Sequence, residues 1–433
     1  MPFQPLPTAA RGIAALALGT VVALAAAPVA HAATPTPAEL GAGWLTTQLV
    51  GGDHLQTTYG GTAYDDAGLT ADVVLALDAA GVGQSSASAA TAWLAGQVTS
   101  YTGDGTGESY AGALAKLSLV AEAQGLDPHA FGGSAPVNDL LARLLAQKAG
   151  TGRFSDVSAY GDYSNTITQS FAVLALDRDA GAPADAVDFL AAAQCPDGGF
   201  PLQFDQPTCS SDLDATAFSV QALLATGRSV TAALDYLEAQ QRSNGGFGGT
   251  GPTSETNSNS TGLAVAALQA GGRTAPAAEG AAYLTALQVG CSGAAGSRSA
   301  IAYDATGYDA TTAPRATAQA VPALAGVSLA DVAAAGATAG FPTLECAAAP
   351  VATPGTPTDD STTGGSTTGG STTGGPGTGA GAGAGTGGAS DVPLGLPATG
   401  DPVRQTAVLG GALLLGGVAV LAATRRRRET AAA

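Results

Sequence analysis

Apolar positions recur on a fixed scale between residues 36 and 346. A bulky residue, Leu, two or three further residues and then Gln appear as WLTTQ, WLAGQ, RLLAQ, FLAAAQ, YLEAQ and YLTALQ. Their leucines are Leu45, Leu94, Leu144, Leu190, Leu237 and Leu284, at intervals of 49, 50, 46, 47 and 47. Between them lie six segments rich in Ala and Leu, each ended by a glycine: Gly81, Gly125, Gly181, Gly227, Gly271 and Gly326. A glycine just past the last turn takes the left-handed conformation at low cost and stops a helix. The pattern predicts six pairs of helices.

The two helix sets have different faces. The segment from Thr231 to Arg242 places Leu234 and Leu237 on one side and Asp235, Glu238 and Arg242 on another, as a half-exposed helix requires. Ala217, Phe218, Val220, Ala222, Leu223 and Leu224 leave almost no polar face, so their helix is buried all round. Alternating half-buried and wholly buried helices at a constant period call for two concentric layers. The sequence has no obvious polar capping repeat, which favours closure over an open solenoid. The predicted fold is therefore all-α: an α/α toroid of six helical hairpins over residues 36–346, with a repeat of about 48 residues.

Outside that unit the composition changes. From residue 347 to 395 the chain becomes Pro, Thr and Asp, then three copies of STTGG, then alternating Gly and Ala. Such a stretch buries too little apolar surface to offset its ordering entropy, and its random-coil span is roughly 35 to 40 Å. Next come Leu396-Pro397-Ala398-Thr399-Gly400, an apolar run over residues 406–424 of the right length to cross a ~30 Å hydrocarbon core, and four arginines, Arg425 to Arg428, in a basic tail to residue 433. This arrangement resembles the LPXTG sorting signal of Gram-positive surface proteins. The resemblance implies that a sortase cuts between Thr399 and Gly400 and joins the Thr carboxyl to peptidoglycan, so that the chain touches the membrane only through its C-terminal helix, before sorting. At the other end, Arg11, an apolar stretch from Gly12 to Ala27 and Ala30-His31-Ala32 predict a signal peptide over residues 1–32, cut between Ala32 and Ala33.

Charge and cysteines bear on the same question. Removing Arg11, Arg404 and Arg425 to Arg428 from the 16 basic residues, and Asp401 and Glu429 from the 34 acidic ones, leaves ten against 32 and a mature net charge of −22. So acidic a chain repels nucleic acid and anionic lipid, and its plausible partners are neutral or cationic. Four cysteines in an exported domain imply two disulfides. Three pairings exist; we expect Cys195–Cys209 and Cys291–Cys346, contributing about 3 and 4 kcal/mol by chain entropy. Histidine is nearly absent and no zinc-ligand set can be assigned, so neither a metal nor a cofactor is expected.

In the repeat loops, Gln194, Gly198 and Phe200 (QCPDGGF), Gln241, Gly245 and Phe247 (QRSNGGF), and the longer stretch from Gln147 to Phe154 resemble the QxxxGxW/F motif of squalene and hopene cyclases. The folded unit thus resembles the α/α-toroid superfamily of class II terpene cyclases, protein prenyltransferase β subunits and transcobalamin-type carriers. In that family the Gln, the glycines and the ring tie one repeat to the next. The resemblance implies a fold; it does not choose between catalyst and binder.

Two kinds of site compete. Asp212-Leu213-Asp214-Ala215 resembles the DxDD motif of class II cyclases, in which a protonated central aspartic acid, here Asp214, attacks an alkene or epoxide. The motif's final carboxylate is replaced by Ala215, and the two tryptophans, Trp44 and Trp93, fall on outer helices. The simpler expectation is that Asp214 caps its helix, as Asn165, Ser260 and Thr311 with Thr312 would cap theirs. The other candidate is a polar rim on the loops before the inner helices. Its members are Tyr64-Asp65-Asp66, Glu108 with Tyr110, Tyr160 with Asp162 and Tyr163, Asp212, Asn257 with Asn259, Tyr303-Asp304 and Tyr308-Asp309. Phenols, carboxylates and amides suit a sugar, a polar cofactor or a peptide. Sequence therefore favours a wall-anchored protein that binds a polar or protein ligand over an enzyme, with a class II cyclase using Asp214, or a purely structural surface module, as alternatives.

Sorting is directly testable. Thr399→Ala should move the protein from the wall fraction to membrane or medium; a variant that resists detergent extraction of the wall would exclude attachment through this bond.

Overall fold

The structure, a computed structural model, describes residues 34–346. The expected signal peptide (1–32, with Ala33), stalk (347–395), LPATG motif (396–400), membrane span (406–424) and basic tail (425–433) lie outside the described residues. No helix among the described residues is long and apolar enough to cross a membrane.

The elements run α1 (Pro37–Thr46), β1 (Gln56–Tyr59), β2 (Thr62–Asp65), α2 (Ala67–Ala80), α3 (Gln84–Gly96), α4 (Val98–Thr102), α5 (Ala111–Ala123), α6 (Leu140–Ala146), α7 (Thr166–Asp179), α8 (Ala184–Ala192), β3 (Phe200–Pro201), β4 (Ser211–Asp212), α9 (Leu213–Ala225), α10 (Thr231–Gln240), β5 (Phe247–Gly248), β6 (Thr256–Asn257), α11 (Ser258–Ala270), α12 (Thr274–Ala286) and α13 (Ala313–Ala325). Helices α2, α5, α7, α9, α11 and α13 form the inner layer, each packing on the next, and α13 packs on α2 to close the ring. Helices α1, α3, α6, α8, α10 and α12 form the outer layer, with α4 an added turn after α3. The predicted toroid of six hairpins is the observed fold.

Burial follows the two sequence patterns. Every residue of α9 from Leu213 to Leu223 and of α11 from Ser258 to Leu268 is buried. On the outer helices the six repeat leucines are fully buried; on α3, α6, α8, α10 and α12 the residues flanking them are partly or fully exposed, whereas on α1 the flanking Trp44 and Thr46 are buried as well. Each leucine is the point where an outer helix docks on the ring, and burying one is worth about 1.5–3 kcal/mol. Five of the six expected glycines, Gly81, Gly125, Gly181, Gly227 and Gly326, have positive φ. The exception is after α11, where Gly271 keeps φ −83° and Gly272 makes the left-handed turn.

Repeats are joined by the glutamine and glycine loops. Gln194 Nε2 donates to Gly198 O at 2.8 Å, and Gln241 Nε2 donates to Gly245 O and to Pro276 O in α12, both at 2.8 Å. Gln288 Nε2 reaches Pro37 O at 2.8 Å, joining the last repeat to the first. A Cβ at Gly198, whose φ is 93°, would stand 2.5 Å from Ala232 O in α10, so only glycine lets the loop lie against the next outer helix. Cys195 is bonded to Cys209 and Cys291 to Cys346, the expected pairing.

The sequence pattern did not anticipate the strands. β1–β2 is a four-residue hairpin, and the other two are two-residue ladders in which the loop folds back on the residue before its inner helix, Phe200 opposite Asp212 and Phe247 opposite Asn257. Two-residue ladders leave no alternating pattern to read.

At the C-terminal ends of the inner helices, the segment after α13 crosses the ring. Arg178 of α7 donates to Leu329 O, Ala330 O and Val332 O at 3.0, 2.9 and 2.9 Å, and Gln221 Oε1 accepts from Leu329 N at 3.0 Å. Ala334 N donates to Ala123 O and Thr338 N to Gly81 O. Beneath this segment Glu122, 3.3 Å from Arg178 Nε, is pushed up to about 8 by burial, against the pull of Arg178 and of His129 and with the push of Asp179. Asp78 is raised to about 6, again chiefly by burial.

Both groups hold protons in the folded state at a pH where the unfolded chain has released them. The stability they contribute is complete below the ordinary carboxylate range and is lost as pH rises through about 6 for Asp78 and about 8 for Glu122. The melting temperature should therefore fall between about pH 5 and pH 8, and Glu122→Gln should flatten the upper part of that slope. An unchanged slope in the variant would show that Glu122 does not titrate there.

Candidate functional site

The inner helices begin at one mouth of the ring, and the residues there follow a common order. The residue before the helix caps it in four of the six: Asp66 accepts Leu69 N at 2.8 Å, Asn165 accepts Ile167 N and Thr168 N at 2.9 and 3.0 Å, Asp212 accepts Ala215 N at 2.8 Å, and Asn257 accepts Ser260 N at 2.8 Å, whereas Tyr110 before α5 makes no side-chain cap. This corrects two sequence expectations. Asp212, not Asp214, is the cap of α9, and Asn257, not Ser260, is the cap of α11. The short ladders are the reason, since they hold Asp212 and Asn257 extended until the helix starts. At α13, Thr312 makes no side-chain cap and Asp309 accepts Thr311 N and Thr312 N instead.

Two residues after the cap, a side chain faces the lumen. Ile167 holds this station on α7 and lines the central cavity. Asp214 and Asn259 take the same position on α9 and α11, one helical turn before the cavity-lining Phe218 and Leu263. Asp214 is 8% exposed and Asn259 is 9% exposed, and Asp214 Oδ1 and Asn259 Oδ1 have no hydrogen-bond partner among the described residues. Ser258 Oγ, Thr166 Oγ1 and Asn165 Nδ2 are likewise buried and unpartnered, and the buried Ser260 hydroxyl has Asp214 beside it. A buried polar atom without a partner costs about 1–3 kcal/mol, so several at one mouth mark a place where something else supplies the bonds. Burial first, then the Asp212 charge, pushes Asp214 up to about 7, with the Ser260 hydroxyl beside it acting the other way. Tyr303, half-buried, is raised to about 12 by burial and then by Asp214.

Below this layer is a cavity of about 70 Å³. Phe171, Phe218 and Leu263 line one wall, with the two rings 4.9 Å apart. Asp72, Lys116 and Arg315 line the other, and Leu329 closes the far end. Lys116 Nζ is 2.8 Å from Asp72 Oδ1 and 5.5 Å from the Phe171 ring centroid. Arg315 Nη2 is 3.3 Å from Asp66 Oδ2 and its Nη1 is 3.8 Å from Asp72 Oδ2. Sequence reading missed these three residues. Their signal was a charge in the middle of a largely apolar inner segment, which a buried helix tolerates only when the charges are paired.

The rim residues divide. Asp66 is buried, accepting from Thr57 Oγ1 as well as capping, and Asp212 and Asn257 are spent on caps. Asp65 and Tyr64 lie on the β1–β2 hairpin, with Asp65 bonded to Gln56 and 3.1 Å from His54 Nε2. Tyr110 donates to Glu108, Tyr163 donates to Tyr160 O, and Tyr160 is exposed. Tyr308 packs edge-on against Trp44 of α1, 6.2 Å between centroids. Of the predicted rim and catalytic candidates, Asp214 interacts electrostatically with Asp212 and with Tyr303, and Asn259 has the equivalent position on the next helix. No group of three or more His, Cys, Asp or Glu among the described residues could hold a metal ion.

No protein-family model and no curated protein sequence matches the chain. Solved structures do. The type II terpene cyclase MstE from Scytonema, in a substituted form complexed with geranylgeranyl dihydroxybenzoate, superposes with a TM-score of 0.50 at 12% identity, covering 67% of this chain and 96% of that one. An α-amylase from Clostridium perfringens gives 0.52 at 7% identity, covering 68% and 98%. The ent-copalyl diphosphate synthase from Streptomyces platensis gives 0.40 at 21% identity, covering 60% and 50%. At these identities the likeness is one of fold: the chain is a terpene-cyclase-like α/α toroid.

Proposed function

We propose that this chain is a cell-wall-anchored surface protein whose toroid binds a polar ligand at its mouth. The observation that carries this is the pair of buried, unpartnered oxygens of Asp214 and Asn259 above a cavity of about 70 Å³. Sites for drug-sized ligands occupy about 300–1,000 Å³, so a long isoprenoid does not fit the lumen as it stands, whereas a polar molecule can sit above it with one edge at Asp214. Two disulfides support an oxidising compartment, in keeping with the signal peptide and sorting motif read from the sequence. Sortase and peptidoglycan are then its covalent partners, through Thr399.

A class II cyclase is the second reading, favoured by one observation. Asp214 is buried, raised to about 7 and one helical turn before the cavity-lining Phe218, as a general acid for an alkene would need to be. Three features oppose it: Ala215 in place of the motif's last carboxylate, the small lumen, and Lys116 and Arg315, whose charges would raise the energy of a carbocation beside them.

Incubation of the protein with squalene and geranylgeranyl substrates, followed by gas chromatography, separates the two. No cyclised product is expected. A product that disappears in Asp214→Asn would overturn the binding assignment.

A further inference from the structure

The mouth is polar in a particular way, and on the reading of it as a binding site its chemistry narrows the ligand. Asp214 and Asn259 occupy equivalent positions on neighbouring helices, both more than nine-tenths buried, each with an oxygen that has no partner among the described residues. Ser260 lies beside Asp214, and the half-buried Tyr303 is coupled to it. The titratable groups around Asp214 are Asp212 on its own turn, Tyr303 and Asp304 from the loop before α13, and, beyond Asp212, Tyr236 of α10. The first turn of α7 adds only Thr166, Ile167 and Thr168. The lumen's cations, Lys116 and Arg315, are engaged with Asp66 and Asp72 on the opposite wall.

An anionic ligand would meet the Asp212 carboxylate beside Asp214, and the lumen's cations are already engaged with carboxylates. A metal ion would lack ligands. What the groups do match is a molecule offering hydroxyls that both donate and accept, with a ring face to lay on a phenol.

We propose that the mouth between α9 and α11 holds one edge of a neutral carbohydrate, with Asp214 donating a hydrogen bond to a sugar hydroxyl, Asn259 accepting one, and Tyr303 providing a stacking face. Asp214 serves here as a neutral acid. Its raised pKa, about 7, means that binding weakens as pH rises through that value, because the ionised form can no longer donate.

Titration calorimetry on the full chain, in a detergent without a sugar head group, tests this with glucose, galactose, mannose and N-acetylglucosamine as probes. At least one should bind, and its affinity should fall about tenfold between about pH 6 and pH 8. Asp214→Asn keeps a donor without a titrating proton, so its affinity should no longer depend on pH between about 6 and 8. Asn259→Leu and Asp214→Leu should each weaken binding by about tenfold or more. The circular dichroism spectrum and melting temperature of each variant report whether the fold is intact. Absence of binding by all four sugars, unchanged affinity in the two leucine variants, or a pH dependence that persists in Asp214→Asn would each overturn the proposal. A different polar compound carried through purification, identified by native mass spectrometry, would overturn the carbohydrate assignment and leave the binding reading standing. A cyclised isoprenoid would sink both.

Discussion

A helix buried on every side cannot leave the backbone of the loop that leads into it unsatisfied, and this toroid answers with one side chain per repeat. Four residues after the cap, Thr70, Thr216 and Thr261 accept the backbone N–H of Leu55, Phe200 and Phe247, and Gln169 does the same for Phe154; Thr317, five residues after Thr312, accepts Ile301 N, all at 2.8–3.0 Å. Each hydroxyl of Thr70, Thr216 and Thr261 also donates to the carbonyl of its own cap residue. The bond fixes where the loop's buried apolar side chain enters the core and, by setting the short ladder, where the helix begins. In the second repeat this position is Leu114, and the loop is held differently, with Ala111 N donating to Asp156 of the neighbouring loop. The ring depends on this junction because the same loops carry the glutamines and glycines that join one repeat to the next.

The junction also settles what happens at the mouth. Once Asp212 is committed to the cap, Asp214 is carried two residues into the helix and turned to the lumen, within range of a like charge and out of water. Its role is thus decided by register. One aspartate bonds the backbone and stays an ordinary cap, while the other, with an oxygen left free, is driven toward neutrality. The two walls below differ for a similar reason. On α2, α5 and α13 the charges of Asp72, Lys116 and Arg315 satisfy one another, whereas α7, α9 and α11 contribute Phe171, Phe218 and Leu263.

Much of the fold was legible in the sequence. The repeat leucines, the terminal glycines and the contrast between half-apolar and wholly apolar segments are consequences of helix burial, and each is written in residues close together along the chain. The cysteine pairing was legible too, as a local loop and a tie from the last repeat to the end of the fold. The site was legible only in part. Asp214 and Asn259 stood out by composition, but a cap and a lumen-facing residue two positions later look alike until the ladder is known, so capping was assigned to Asp214 and Ser260. The rim was overcounted, because Asp66, Asp212, Asn257 and Tyr308 make bonds or packing contacts that depend on residues distant in sequence. Lys116 and Arg315 were missed because their partner Asp72 is on another helix.

The central claim is that a neutral aspartic acid with an unmet hydrogen bond stands at the mouth of this ring. A carbon-13 NMR titration of the Asp214 side-chain carboxyl, assigned by comparison with Asp214→Asn, measures it directly. The account predicts a midpoint near 7. A midpoint near the ordinary aspartate value of 3.8 would show an ionised, solvated or bonded carboxylate and contradict it.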